Sequence, residues 1–238
     1  MKKSYLFLFT ALIFSGSALQ AQIKLPKFLK STSATGLTQE EAGQGIKEAL
    51  SQGVAKAVLN LNKTDGFFGN AIYKVLLPPD AKKVENTLRN LGMGAQVDKA
   101  ILSINRGAED AVGFATPIFV NAIKQMTLTD ALNIIKGPSN AATQYFRDKT
   151  KQQLLAAFLP SIKSSLDKTD ATKYYGDIVT TYNKLPTTFK KVNPDLPAYV
   201  TDKAVEALFD QVSKEEANIR SNPAARATDI LKKVFGGK

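Results

Sequence analysis

The stretch from Thr38 to Lys63 reads TQEEAGQGIKEALSQGVAKAVLNLNK, and its spacing decides the fold class. Thr38 stands three residues before Glu41, the S/T-x-x-E pattern in which each side chain satisfies the other's backbone N–H at a helix start. Leu37 holds the staple position before it. Ala42, Ile46, Ala49, Leu50, Val54, Ala57, Val58 and Leu61 then recur every three or four residues. That is one face of a helix turning about 100° per residue. Thr64, Asp65 and Gly66 end it.

The same reading extends along the chain. A short helix is expected over Phe67 to Leu77, closed by Pro78–Pro79, and a second from Pro79 to Leu91 with Gly92 as terminator. Val97, Ile101, Ile104, Ala108, Ala111 and Val112 mark the face of a helix opening near Gly94. Pro117 breaks or kinks it, and Ile118 to Met126 resumes the period. Thr127 caps a piece running to Lys136, closed by Gly137–Pro138. Residues 139–168 read as a helix with Pro160 as a kink, and Asp170 opens another to about Lys184. Pro186 to Pro197 is the longest loop candidate, a long helix follows from about Tyr199 to Ser221, and Asn222–Pro223 opens a last one to Phe235. No run alternates with period two between turn residues. The expectation is an all-α single domain of about nine helices.

The start of the chain reads as an export signal. Lys2 and Lys3 precede an apolar run from Tyr5 to Phe14, then Ser15, Gly16, Ser17 and Ala18, with Ala21 placed for cleavage. The expected organisation is a signal peptide over 1–21, a flexible basic tail over 22–36 and a helical domain over 37–238. The run is shorter than a bilayer-spanning helix requires, so an exported protein is expected, periplasmic or extracellular, with no membrane span after cleavage.

Composition narrows the chemistry. The 238 residues contain no Cys, His or Trp. Disulfides, thiol nucleophiles and Ser–His–acid triads are excluded, and neither a metal site nor a cofactor is expected. The net charge is +11. Its largest local excess lies between Gly137 and Asn193, which suggests an anionic envelope component as partner. No nucleic-acid motif is present, and nucleic acid is not expected.

The charged residues that look out of place are the site candidates. Glu216 falls in the middle of the stripe Val205, Leu208, Phe209, Val212 and Ile219, where a bare carboxylate costs several kcal/mol. It is either a raised-pKa acid facing a ligand or half of a structural ion pair. Arg220 lies one turn on, with Arg106, Arg147 and Arg226 as partners from other helices. Asp98, Asn105 and Glu109 form a polar row beside an apolar face, and Arg106 is spaced to pair with Asp110. Glu109 and Glu216 together would be the carboxylate pair of a hydrolase. Arg is rare against Lys here, which favours Arg106, Arg147, Arg220 and Arg226, with Asn105 beside Arg106, as a ligand or ion-pair network built on the planar guanidinium fork.

Several stretches resemble a known family. LPPDAKKVENTLRNLGMG (77–94), INRGAEDAV (104–112), PIFVNAIKQMTLTDALNIIKG (117–137), AATQYFRDKT (141–150), the run from Ala198 to Gly236 and DGFFGN (65–70) resemble bacterial exported proteins catalogued as domain of unknown function 4197. The likeness spans about residues 37 to 236. It implies one mostly helical domain behind a signal peptide, and brings no activity, cofactor or catalytic residue. Gly107 stands where the family has Ala, a substitution that costs up to about 1 kcal/mol in an exposed helix. The favoured role is non-catalytic, envelope-associated binding or structural support. The alternatives are the Glu216–Glu109 hydrolase and a carrier of an apolar ligand between helices.

Overall fold

A computed structural model describes residues 38–168, 170–184, 186, 191–222, 225 and 229–235. The expected signal peptide, the basic tail and Arg226 lie outside them. The described residues form nine α-helices and one 3-10 turn, with no strand.

Helix α1 (Gln39–Asn62) has the reciprocal cap read from its sequence: Glu41 N–H donates to the Thr38 hydroxyl, and Thr38 N–H to the Glu41 carboxylate. Its apolar stripe is buried from Ile46 to Leu61, with Ala42 half-buried, and five of the later helices pack against it. Pro79–Ala81 is the 3-10 turn, leading into α2 (Lys82–Asn90). Gly92 follows at φ 79°, a left-handed conformation that glycine adopts without strain. Next come α3 (Gly94–Val112) and α4 (Ala115–Gln125). The break between them falls at Gly113–Phe114, ahead of Pro117, which sits in the first turn of α4. There the missing N–H has no intrahelical partner to lose.

Thr127 caps α5 (Leu128–Lys136) with Asp130. Helix α6 (Ala141–Asp167) continues past Pro160, and α7 (Ala171–Lys184) follows it. Helix α8 (Leu196–Ser221) begins before Tyr199 because the Asp195 carboxylate accepts from Ala198 N–H and Pro197 fits the first turn. Helix α9 is described over Asp229–Phe235.

One expected helix is absent. Residues 67–77 form turns and an extended run instead. Nearby turn carbonyls and the Asn70 side chain take the N–H groups of residues 69, 70 and 72–74, and side chains distant in sequence take three more. Phe67 and Phe68 donate to Glu109, and Val75 donates to Asn105. Buried backbone groups must find partners, and here α3 supplies them in place of the carbonyls of a helical turn.

The core is aromatic at its centre. The Phe119 ring meets Phe146 at 4.9 Å and Phe209 at 6.2 Å, both edge-on, joining α4, α6 and α8. All three rings are fully buried, each contributing about 1.5–3 kcal/mol by removal from water. Helices α3 and α6 come together at Gly107. A Cβ there would lie 2.9 Å from Ser165 Cβ, closer than side chains approach. Gly107 is buried, so its cost as a weak helix former is offset by the contact it permits. Ser103 and Ser165 lace this crossing, each hydroxyl donating to the other's carbonyl.

Candidate functional site

Glu216 projects from α8 toward the first turn of α6. One carboxylate oxygen accepts from Ala142 N–H at 3.0 Å. The other accepts from Thr143 N–H at 2.9 Å and from the Thr143 hydroxyl at 2.8 Å. Arg220, one turn along α8, donates from Nε at 3.0 Å and from a terminal nitrogen at 2.8 Å to the first oxygen. Arg220 also donates to the Ile134 carbonyl of α5. A helix N-terminus presents unpaired N–H groups and a positive dipole end, and this carboxylate satisfies both. The space beside it, walled by Ile46, Leu50, Phe146 and Val212, is about 20 Å³. That admits a single water and no substrate.

Glu109 performs the equivalent task from α3. One oxygen accepts from Phe67 and Phe68 N–H, both at 3.1 Å. The other accepts from Arg106 at 2.6 Å, and Arg106 also reaches Asp65 at 2.8 Å. Arg106 therefore pairs three residues on rather than with Asp110. The Asn62 amide ties the end of α1 to the Glu109 carbonyl. Asn105 is fully buried, and its amide exchanges two 2.8 Å hydrogen bonds with the N–H and C=O of Val75. Asp98 is separate from this row and pairs with Arg89.

The structure thus distributes the candidates. Glu109 and Glu216 hold different backbone segments and share no partner. Arg106 and Arg220 each serve one of them. Arg147 meets Glu206 of α8 together with Lys151, and lies 4.5 Å over the Phe209 ring. Burial pushes the Glu206 carboxyl up, but hydrogen bonds from Lys151 and Arg147 outweigh it and leave the group below its usual range. These two cations belong to the basic 137–193 stretch, and Lys149, Lys163, Lys168, Lys173, Lys184 and Lys191 there are exposed.

Among the described residues, two of the concavities that open to solvent are larger than about 300 Å³. The first is an apolar cleft of about 330 Å³ walled by Leu77, Val84, Met93, Val97 and Tyr175, with Gln96, Lys99 and Asp170 also lining it. The Tyr175 hydroxyl donates to the Asn193 carbonyl. Burial, reinforced by Tyr199 and Asp80, pushes it up to about 12, so the wall stays uncharged. The second is a wider groove of about 640 Å³ between residues 72–79 and α8. At its edge Lys214 donates to the Tyr73 hydroxyl at 2.7 Å, and that hydroxyl lies 2.8 Å from Asp210.

Glu85, Glu206, Asp210 and Tyr73 were not singled out from sequence. The i, i+4 spacings Glu85–Arg89 and Asp210–Lys214 were the available signals. Among the described residues no group of acidic side chains is placed to hold a metal ion, and no helix is long and apolar enough to cross a membrane.

Comparison with curated proteins and with solved structures finds no match. A family profile described as "Protein of unknown function (DUF4197)" matches residues 36–236, nearly all of the helical domain, and the chain belongs to that family.

Proposed function

We propose that the protein is an exported, non-catalytic binding protein of the cell envelope that takes an apolar group into the cleft between α2, α3 and α7. The observation that carries this reading is the contrast between closed and open sites. Both oxygens of each out-of-place carboxylate accept from the protein's own donors, whereas the apolar cleft stands open with a volume at the lower end of the ligand-pocket range. A hydrolase would need Glu216 or Glu109 to face a substrate and exchange a proton, and their contacts argue against it. Export is supported by Lys2, Lys3, the Tyr5–Phe14 run and Ala21. The exposed lysines of the 137–193 stretch would meet an anionic envelope surface.

The test is titration with N-phenyl-1-naphthylamine, a neutral apolar fluorophore. The expected result is a saturable fluorescence rise that Ala100→Trp, which fills the cleft, weakens about tenfold or more. Leu88→Gln on the opposite wall acts as a second variant, and circular dichroism checks that both fold. No saturable rise, or a rise indifferent to both substitutions, overturns the reading.

A further inference from the structure

The wider groove has a second property, independent of the apolar cleft, with which it shares only Leu77. Along its wall, a turn over residues 71–73, closed by Lys74 N–H donating to the Asn70 carbonyl, leads into a short extended run from Lys74 to Leu76. Val75 is buried, while Lys74 and Leu76 on either side of it are exposed, as is Ile72 in the turn. Within the run this is the side-to-side alternation of an extended chain. The Asn105 amide exchanges both bonds with Val75, imitating one hydrogen-bonded pair of an antiparallel ladder. In an extended chain successive residues turn their N–H and C=O to opposite sides. The N–H and C=O of Leu76 therefore point away from α3, and no group among the described residues bonds to either.

The charges around this open edge are unequal in their pairing. Glu85 is held by Lys82 and Arg89, Glu206 by Arg147 and Lys151, and Asp210 by Lys214. Two groove lysines have no carboxylate among the described residues. Lys74 lies 4.0 Å over the Phe68 ring, and Lys203 lies 5.6 Å over Tyr199. The groove therefore combines an unpaired edge, exposed Ile72 and Leu76, and two cations without anions.

The geometry points to an acidic, extended peptide segment of another protein as its ligand, added as a strand alongside the extended run Lys74–Leu76. Main-chain bonds to Leu76 fix its register, Ile72 and Leu76 take its apolar side chains, and Lys74 and Lys203 take its carboxylates. The chain's own residues 22–36 carry three Lys and no acid, so the same cations would repel them.

The test measures fluorescence anisotropy of a labelled peptide of alternating Glu and Val on the full chain. Two control peptides accompany it, one of alternating Lys and Val and one acidic peptide N-methylated at alternate amides. The expected result is saturable binding of the Glu–Val peptide, with both controls weaker by about tenfold or more. Lys74→Glu and Lys203→Glu, both exposed and remote from the core, weaken it similarly while circular dichroism stays unchanged. Failure of the Glu–Val peptide to bind overturns the inference. Equal binding of the N-methylated peptide also overturns it, because the groove is then an electrostatic patch without strand addition. Indifference to both lysine substitutions places the peptide elsewhere and has the same consequence.

Discussion

Replacing Glu216 by Gln leaves the shape of the side chain intact and removes one acceptor oxygen. Five donor contacts converge on the carboxylate, from Ala142 N–H, Thr143 N–H, the Thr143 hydroxyl and two Arg220 nitrogens. An amide NH2 must face either the Thr143 pair or the Ala142–Arg220 group, and it can accept from neither. The half-buried Arg220 guanidinium, with 14% of its side chain exposed, also loses the Glu216 charge it bonds through two nitrogens. Breaking a buried pair from one side costs about 3–5 kcal/mol. The bond from Arg220 to the Ile134 carbonyl persists, which places the expected loss near 3 kcal/mol. For a domain of this size that is a fall in Tm of about 6–12 °C. The assay is urea unfolding followed by far-ultraviolet circular dichroism, with the thermal melt as a second readout. Combining Glu216→Gln with Arg220→Met should recover part of the loss, since it removes the cation whose charge Glu216 balanced. A loss under about 1 kcal/mol, typical of an exposed ion pair, would refute the buried-tie assignment. So would a double variant less stable than the single one.

Glu109→Gln should act locally, loosening the 65–77 segment while the helices persist. Amide exchange at Phe67 and Phe68 is expected to quicken about 30-fold, the equivalent of about 2 kcal/mol, and unchanged rates would count against the tie. Gly107→Ala improves helix propensity yet should destabilise by about 1–3 kcal/mol, because the new methyl meets Ser165; a stabilised variant in urea unfolding would contradict the close α3–α6 approach. The pH profile follows from Glu85, Glu206 and Asp210, whose carboxyls lie below their usual 4.5, 4.5 and 3.8 because hydrogen bonds from Lys and Arg outweigh the effect of burial. Protons bind the unfolded chain first, so the stability from these pairs is fully present above the usual values and is lost as pH falls through the lowered ones. With no His to titrate, Tm should be level from about pH 5.5 to 8 and fall below about pH 4.5. A slope across neutrality in a melt series would disprove that assignment.

The helices were readable wherever their causes are local. Thr38 with Glu41, Thr127 with Asp130, and the three- and four-residue spacing of α1 and α3 all act within a turn or two. Residues 67–77 were misread because their partners, Glu109 and Asn105, stand 30 to 42 positions away in sequence. Glu216 shows the same division within one residue. Its angle on α8 predicted burial, and burial is what the structure has. Its task was not readable, because the donors it serves are backbone N–H groups, which every residue type except proline carries alike. Asn105, Glu109 and Glu216 each project from a long helix to a segment whose N–H groups lack a helical carbonyl. A polar side chain inside an apolar stripe therefore indicates backbone in need of partners as directly as it indicates catalysis. The two are separated by what fills the acceptor positions. A catalytic carboxylate must keep one open to exchange a proton with substrate. In Glu216 both oxygens are occupied from the protein itself, so its place in this fold is that of a joint between α5, α6 and α8.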